Sequence, residues 1–412
     1  MRRARATIFT LRRSLCCHFT IISYLCGGMR DIILLIFALC ATIVARADGH
    51  GFNLIVVGDP QPQTEEQLSR LEQDIIPKIG QIVEHYKTTG YPTAILLTGD
   101  VVWDTMAFLP RVKSAFEELG VEVYAVIGNH DHNRAIEHNE RLAEREFKET
   151  FDTKQRSFTM GDTRFILADN ILFDTYSEYS IGISDTELEW ITSEIEQCPD
   201  NQHIAICMHA PASDLRTGKP LGYAKPLIRS SRGHKLHFIT GHCHRHNTVE
   251  INRHTIEHSV AQVNGNLWFA PLCADGTPQG VLCIEERDGE WRWHHQTLDT
   301  KRYMPLVVYK EGEVDGHEEE IVVKVIGWDK RWRIEWVENN ENRGTMKQID
   351  IIDPSYLRYV NEEADYNDVI MQRLRRSARP AKHYFRCRRT TANSQISIIA
   401  TDRFGREYRV DL

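Results

Sequence analysis

Five short apolar runs, each ending in a compact polar block, constrain this chain more than any other feature. Leu54 to Val57 precedes Asp59-Pro60-Gln61, and Ala94 to Leu97 precedes Gly99-Asp100. Val123 to Ile127 precedes Gly128-Asn129-His130-Asp131. Ile204 to Met208 precedes His209-Ala210-Pro211, and Leu236 to Ile239 precedes Gly241-His242-Cys243-His244. The runs do not alternate cleanly with polar residues, as expected of strands buried on both faces in a layered sheet. Loops at the carboxyl ends of such strands line a natural crevice, so five blocks distant in sequence can share one rim.

The segments between the runs read as helices. Glu65 to Glu84 is helix-like with a break at Pro77, Asn133 to Phe151 is charged and amphipathic, and Ala107 to Leu119 suggests a further helix; Asp104, four residues after Asp100, either lines the site or caps that helix, with capping favoured. Ser184-Asp185-Thr186-Glu187 is a capping box opening a helix through Glu196. The expected core is a two-sheet α/β sandwich, finished by strands at Leu267 to Ala270, Gly280 to Glu285 and Trp291 to His295. After Met304 short strands recur at Leu306 to Tyr309, Glu320 to Val325, Trp332 to Val337 and Ser397 to Thr401, the pattern of a small β-sandwich. The expected organisation is a leader at 1–47, a core domain at 48–300 and a β-rich accessory domain at 301–412.

Taken singly, each polar block has an ordinary reading. Asp100 after Gly99 and Asp59 before Pro60 suit turns, and a lone His209 after a buried strand suits a satisfied core histidine. Their joint occurrence points elsewhere. Asp and His bind divalent metals directly, Asn and Gln offer neutral carbonyl oxygens, and a carboxylate can bridge two ions. Two ions about 3.5 to 4 Å apart can polarise a phosphoryl group and steady both oxygens of an in-line displacement.

From about Asn53 to Ile284 the chain resembles the calcineurin-like metallophosphoesterases, with all five blocks in that family's order; Gly128-Asn129-His130-Asp131 and Gly241-His242-Cys243-His244 are the most specific. The resemblance implies one metal among Asp59, Gln61, Asp100 and His244, and a second among Asp100, Asn129, His209 and His242, with Asp100 bridging. It implies that His130 faces the substrate without binding metal, that Asp131 orients it and favours its protonated form, and that hydroxide on the metals is the nucleophile. Family members commonly carry Asp-x-His at the first block; Gln61 departs from that, as in an Asp-Pro-Gln subgroup. An uncharged oxygen there disfavours zinc relative to manganese or magnesium, so of manganese, iron, zinc and magnesium the favoured pair is manganese. His132, Arg134, Arg245 and His246 flank the blocks as possible substrate contacts, whereas Cys243 is expected to point away.

The C-terminal part resembles, more weakly, the accessory domain of some exported members, through Asp275-Gly276-Thr277-Pro278-Gln279-Gly280 and Ala400-Thr401-Asp402-Arg403-Phe404-Gly405. Tyr356 to Met371 reads as a helix, followed by a basic cluster of Arg373, Arg375, Arg376, Arg379 and Lys382. Such a cluster is either a solvated loop or a contact surface for phosphate-bearing or glycan ligands.

Ile32 to Val44 is an apolar segment of signal-peptide length, and Ala45-Arg46-Ala47 supplies a small-x-small site, so export is expected; Met29 could be the functional start. The segment is shorter than the ~20 residues that span a bilayer, and Leu39 before Cys40 suits a lipobox poorly, so neither a stable membrane anchor nor a lipoprotein is expected. Seven arginines and one aspartate lie in 1–47, so the formal charge of -8 becomes -14 for the remainder, which disfavours nucleic-acid partners. Small or protein-borne phosphoesters stay compatible, because bound metals would supply local positive charge. Outside the leader the cysteines are thinly spread, leaving room for one bridge at most, with Cys273 and Cys283 the candidate pair. Two noncatalytic classes remain open: a degenerate envelope binding protein on the same fold, and an adhesive protein built around the C-terminal sandwich.

Overall fold

The computed structural model describes residues 51–175, 177–299 and 303–412; the expected leader lies outside them. In chain order the strands begin with β1 (Gly51–Val57), β2 (Thr93–Leu97), β3 (Glu122–Ala125), β4 (Arg156–Met160) and β5 (Thr163–Leu167). They continue with β6 (Ile171–Phe173), β7 (Tyr179–Ile181), β8 (His203–Cys207), β9 (Lys235–Thr240), β10 (Asn247–Asn252) and β11 (Thr255–Ser259). Next come β12 (Gly280–Arg287), β13 (Glu290–Thr297), β14 (Leu306–Tyr309), β15 (Ile321–Val325) and β16 (Arg333–Glu338). The last are β17 (Glu341–Thr345), β18 (Lys347–Ile351), β19 (Ala381–Cys387), β20 (Ile396–Thr401) and β21 (Glu407–Asp411).

Two sheets form the core. One runs β13-β12-β1-β2-β3, with β1, β2 and β3 parallel; the other runs β10-β11-β9-β8-β5-β4, with β11, β9, β8 and β5 parallel. The inner faces meet through Phe52, Leu54, Val56, Leu96, Phe165, Leu167, Ala205 and Ile239. Alternate residues of the same strands, such as Ile55 and Val57, face helices on the outside, joining Leu68, Ile79 and Phe116. Burial on both faces explains the unbroken apolar runs. Parallel pairing then brings the carboxyl ends of β1, β2, β8 and β9 to one edge of the sandwich.

Beyond β13 the chain forms two four-stranded antiparallel sheets, β14-β15-β19-β18 and β17-β16-β20-β21, sharing a core of Ile321, Val323, Phe385, Ile334, Ile398 and Ala400. The two segments that carried the weaker resemblance fasten these sheets to the first pair. Lys324 donates to the Gly276 carbonyl (2.9 Å) and to Asp353 (3.0 Å), and Tyr384 donates to Asp353 (2.7 Å) and the Asp275 carbonyl (3.1 Å). Gly276, at φ 84°, leaves space for the Asp353 carboxylate, which a Cβ there would meet at 2.4 Å. In the β20–β21 turn, Arg403 pairs with Glu250 (2.7 Å) and Asp329 (3.1 Å) and lies 4.7 Å over the Trp293 ring.

Several local expectations change. Glu65 to Lys87 is helical throughout, with a widened turn at Leu71–Ile75 and Pro77 in the first turn of Ile76–Lys87, where its missing N–H costs little. The segment after Asn133 stays irregular until two short helices, Glu140–Ala143 and Arg145–Phe151; the Asn133 and Asn139 side chains accept nearby backbone N–H groups and compete with helix. Leu267 to Ala270 is a turn rather than a strand, with Leu267 and Trp268 at positive φ. Ser184 caps Asp185–Glu196 as the capping box indicates. Tyr356 lies in Pro354–Arg358, and a separate helix at Asp368–Ser377 carries Arg373, Arg375 and Arg376, with Arg379 just after it and Lys382 in β19. All six cysteines among the described residues, Cys273 and Cys283 included, are free thiols.

Candidate functional site

The strand ends deliver their blocks through sharp turns. Asp59, Gln61, Asp100, His242 and His244 all have positive φ, between 39° and 64°, a conformation that costs non-glycine residues energy and clusters at functional sites. The motif glycines clear space for carboxylates: a Cβ on Gly128 would meet Asp100 Oδ1 at 2.3 Å, and one on Gly241 would meet Asp59 Oδ2 at 2.8 Å.

One group of donors converges on His209. Its Nδ1–H donates to the Thr98 carbonyl (2.8 Å), so in the neutral ring Nε2 carries a lone pair. That Nε2 lies 3.1 Å from Asn129 Oδ1, 3.1 Å from His242 Nδ1 and 3.3 Å from Asp100 Oδ1. A second group, Asp59, Asp100 and His244, brings its ligand atoms within 4.8 Å of one another and shares Asp100 with the first. Asp59 and Asp100 are fully buried, and imidazoles are their only cationic partners among the described residues. Burial, with Asp100 nearby, pushes the Asp59 carboxyl well up. Burial lowers His242 to about 4 and His244 to about 3, leaving both rings neutral with lone pairs to offer. Burial would lower His209 too, but Asp100 and Asp59 outweigh it and hold it near about 10; these carboxylates call for positive charge at this point. Converging nitrogen and oxygen lone pairs around a shared carboxylate fit a pair of divalent cations.

Gln61 lies beside the shared carboxylate in a relay of side-chain amides. The Leu267 N–H donates to Gln262 Oε1 (2.9 Å), Gln262 Nε2 donates to Gln61 Oε1 (2.7 Å), and Gln61 Nε2 donates to Asp100 Oδ2 (2.5 Å). The backbone N–H at the start of this relay sets both amides. Gln61 therefore turns its carbonyl to Gln262 and its N–H to the shared carboxylate.

His130 has a different partner from the sequence expectation. Its Nδ1 donates to Asp104 Oδ1 (2.9 Å), Arg134 holds the other Asp104 oxygen (3.2 Å), and its ring stacks on Trp103 at 4.2 Å. Asp131 instead accepts the N–H groups of Gly128 (2.9 Å) and Val102 (3.1 Å), because the tight turn at Asn129–Asp131 sends successive side chains to different sides. Burial alone would lower His130, but Asp100 and Asp104 outweigh it and raise its pKa. The sequence leaves Asp104 either lining the site or capping a helix, with the cap favoured; the signal for its pairing is its place four residues after Asp100, in the same loop. Trp103 and Gln262 carried no such signal.

Of the flanking candidates, Arg134 acts through Asp104, and Arg245 lines a cavity beside His244. His132 is buried on Phe173, and His246 is buried with its N–H on Asp275. Cys243, expected to point away, lines the same cavity as Arg245. His132, Glu140, Glu144 and Asp169 form another group of ligand types, but Lys154 sits within 2.9 Å of Asp169 and 2.5 Å of Glu144, so its cation is built in.

The family model for calcineurin-like phosphoesterases matches residues 52–246, and that for the C terminal of calcineurin-like phosphoesterase matches residues 257–408. The chain belongs to the calcineurin-like phosphoesterases. Members of this family are metal-dependent hydrolases of phosphoesters, and the protein is one of them. Similar solved structures include a dimetal phosphatase from Danio rerio, 13% identical, with 60% of this chain and 96% of that one covered and a TM-score of 0.41. A purple acid phosphatase from yellow lupin (Lupinus luteus) seeds is also 13% identical, covering 61% and 52%, with a TM-score of 0.44. A 5'-nucleotidase from Candida albicans is 12% identical, covering 60% and 52%, with a TM-score of 0.38. No curated protein matches. No helix among the described residues is long and apolar enough to cross a membrane.

Proposed function

We propose that this calcineurin-like phosphoesterase is an exported hydrolase of small or protein-borne phosphate esters that uses two divalent cations, with manganese favoured. The observation that carries the reading is the convergence of His209 Nε2, His242 Nδ1, Asn129 Oδ1 and Asp100 Oδ1, next to a second group of Asp59 and His244 on the same Asp100. In this reading Asp59, Asp100 and His244 would hold one ion, and Asp100, Asn129, His209 and His242 would hold the other. Two carboxylates and one imidazole offer the first ion mostly hard oxygen, which suits manganese. When bound, the ions would supply positive charge for the phosphoryl oxygens and ease deprotonation of an attacking water at neutral pH.

The chain's own groups do the rest. Gln61 fixes Asp100 through its N–H, keeping the shared carboxylate in one rotamer. His130, its Nδ1 engaged by Asp104, gives a proton from Nε2 to the leaving oxygen; Asp100 and Asp104 raise its pKa and so favour the charged ring that can do this. Asp131 pins the Gly128 turn that carries Asn129 and His130. Export rests on the apolar segment Ile32 to Val44.

Purified protein supplied with manganese should release 4-nitrophenol from 4-nitrophenyl phosphate, from its diester analogue, or from both. Absence of turnover on both at saturating metal would favour the noncatalytic classes.

A further inference from the structure

A cavity of about 590 Å³ opens beside His244, lined on the core side by Cys243, His244 and Arg245 and on the other by Arg373, Arg376 and Arg379. No Asp or Glu lines it. Among the described residues, Arg245, Arg376 and Arg379 have no carboxylate partner, whereas Arg386, Arg389 and Arg403 elsewhere in the C-terminal part all do. Arg376 and Arg379 are exposed, and among the described residues Arg245 and Arg379 donate only to the Ser377 and Ala378 carbonyls (3.5 and 2.8 Å), so positive charge gathers around one concavity in a chain of net negative charge and favours the entry of an anion.

The wall is held in place rather than free. The Asn266 side chain donates to Ser377 Oγ (3.1 Å) and Tyr356 OH (2.5 Å), and Tyr356 OH donates to the Leu374 carbonyl (3.0 Å), which ties the Asp368–Ser377 helix to the loop after β11. Arg373 lies 4.7 Å over the Trp103 ring whose other neighbour is His130, so the arginine wall and the proton donor share one aromatic support. A guanidinium presents a planar fork of donors that matches phosphate oxygens, and the anchored helix holds the backbone that carries Arg376 beside the cavity.

We propose that Arg245, Arg376 and Arg379 form a second phosphate subsite beside the metal-binding residues, so that the preferred substrates are phosphoesters carrying a second phosphate group. Arg376 and Arg379 of the basic cluster are then part of the substrate site and not a solvated run. This rests on the phosphoesterase reading above and adds the substrate class to it.

The test uses alkane bisphosphonates of increasing length and the matching monophosphonates, which differ by one anionic group and cannot be hydrolysed. Each is measured by calorimetry on the manganese-loaded full chain and as an inhibitor of 4-nitrophenyl phosphate turnover. At least one bisphosphonate should bind about tenfold or more tightly than its monophosphonate, and the advantage should fall toward unity in Arg376→Ala/Arg379→Ala. Arg375→Ala, on the same helix but outside the cavity lining, should retain it. A common affinity for both series in the wild type, or an advantage that survives the correctly folded double variant, would overturn the subsite while leaving the phosphoesterase reading intact. Absence of turnover of both 4-nitrophenyl phosphate and its diester analogue by the wild type would overturn both.

Discussion

Asp104 and Asp131 show how a single side chain's direction decides its chemistry. Asp131 adjoins His130 in sequence, yet its carboxylate is spent on two backbone N–H groups, while Asp104, far along the chain, holds the imidazole. The raised pKa of His130 favours its protonated form, and activity that needs this proton falls as pH rises through that value. Asp104→Asn removes a supporting charge, so the alkaline fall in kcat should move to lower pH and kcat should drop roughly tenfold or more. A pH-rate profile checks this, and an unmoved alkaline limb would mean that Asp104 is not the partner that matters. Gln61 gives a second residue-scale expectation. Because its carbonyl is engaged by Gln262, Gln61→Ala should still hold two manganese ions per chain, whereas Asp59→Ala should hold fewer. Elemental analysis decides, and loss of an ion from Gln61→Ala would return that residue to the ligand set.

At the scale of elements, the two sheets meet at one end in a buried column of rings: His237 stacks at 4.0 Å on Trp291 and at 5.3 Å on His258, with His203 alongside at 6.0 Å. Burial pushes all three histidines down, His203 to about 4 and His258 to about 3. Their folded pKa values lie below the unfolded value of about 6.5, so the stability they protect is present above that pH and is lost as pH falls toward the folded values. Each contributes a slope of about 1.4 kcal/mol per pH unit within that window. Denaturant midpoints should therefore fall steeply between pH 7 and pH 5, and His258→Gln should make the fall shallower; a flat midpoint in the wild type would exclude the column as the cause. Strands of this kind were legible because burial on both faces leaves an unbroken apolar run, as at Ile204 to Met208. Leu267 to Ala270 has a similar composition but turns, because Gly265 at φ 83° reverses the chain and Trp268 donates instead to the Pro60 and Gln61 carbonyls. Tertiary partners of that kind leave no periodic trace in the sequence.

For the molecule as a whole, the Asp275-Gly276-Thr277 turn joins the metal-ligand loop to the C-terminal sheets. His246, two residues after His244, donates its N–H to Asp275, and Tyr384, Lys324 and Asp353 close around the neighbouring backbone. That junction explains why a basic cluster more than a hundred residues beyond His244 lines the cavity beside it. The five blocks could be read from the chain because each follows its own strand; the arginine wall could not, because its position depends on packing between distant segments. The central claim is that the converging blocks bind two cations and that His130 acts beside them without binding either. It is tested most directly by measuring manganese per chain and 4-nitrophenyl phosphate turnover together in Asp100→Ala and His130→Ala. Asp100→Ala should lose both ions and activity, while His130→Ala should keep two ions and lose roughly a hundredfold or more in kcat. Two retained ions with turnover in Asp100→Ala, or an emptied site in His130→Ala, would contradict it.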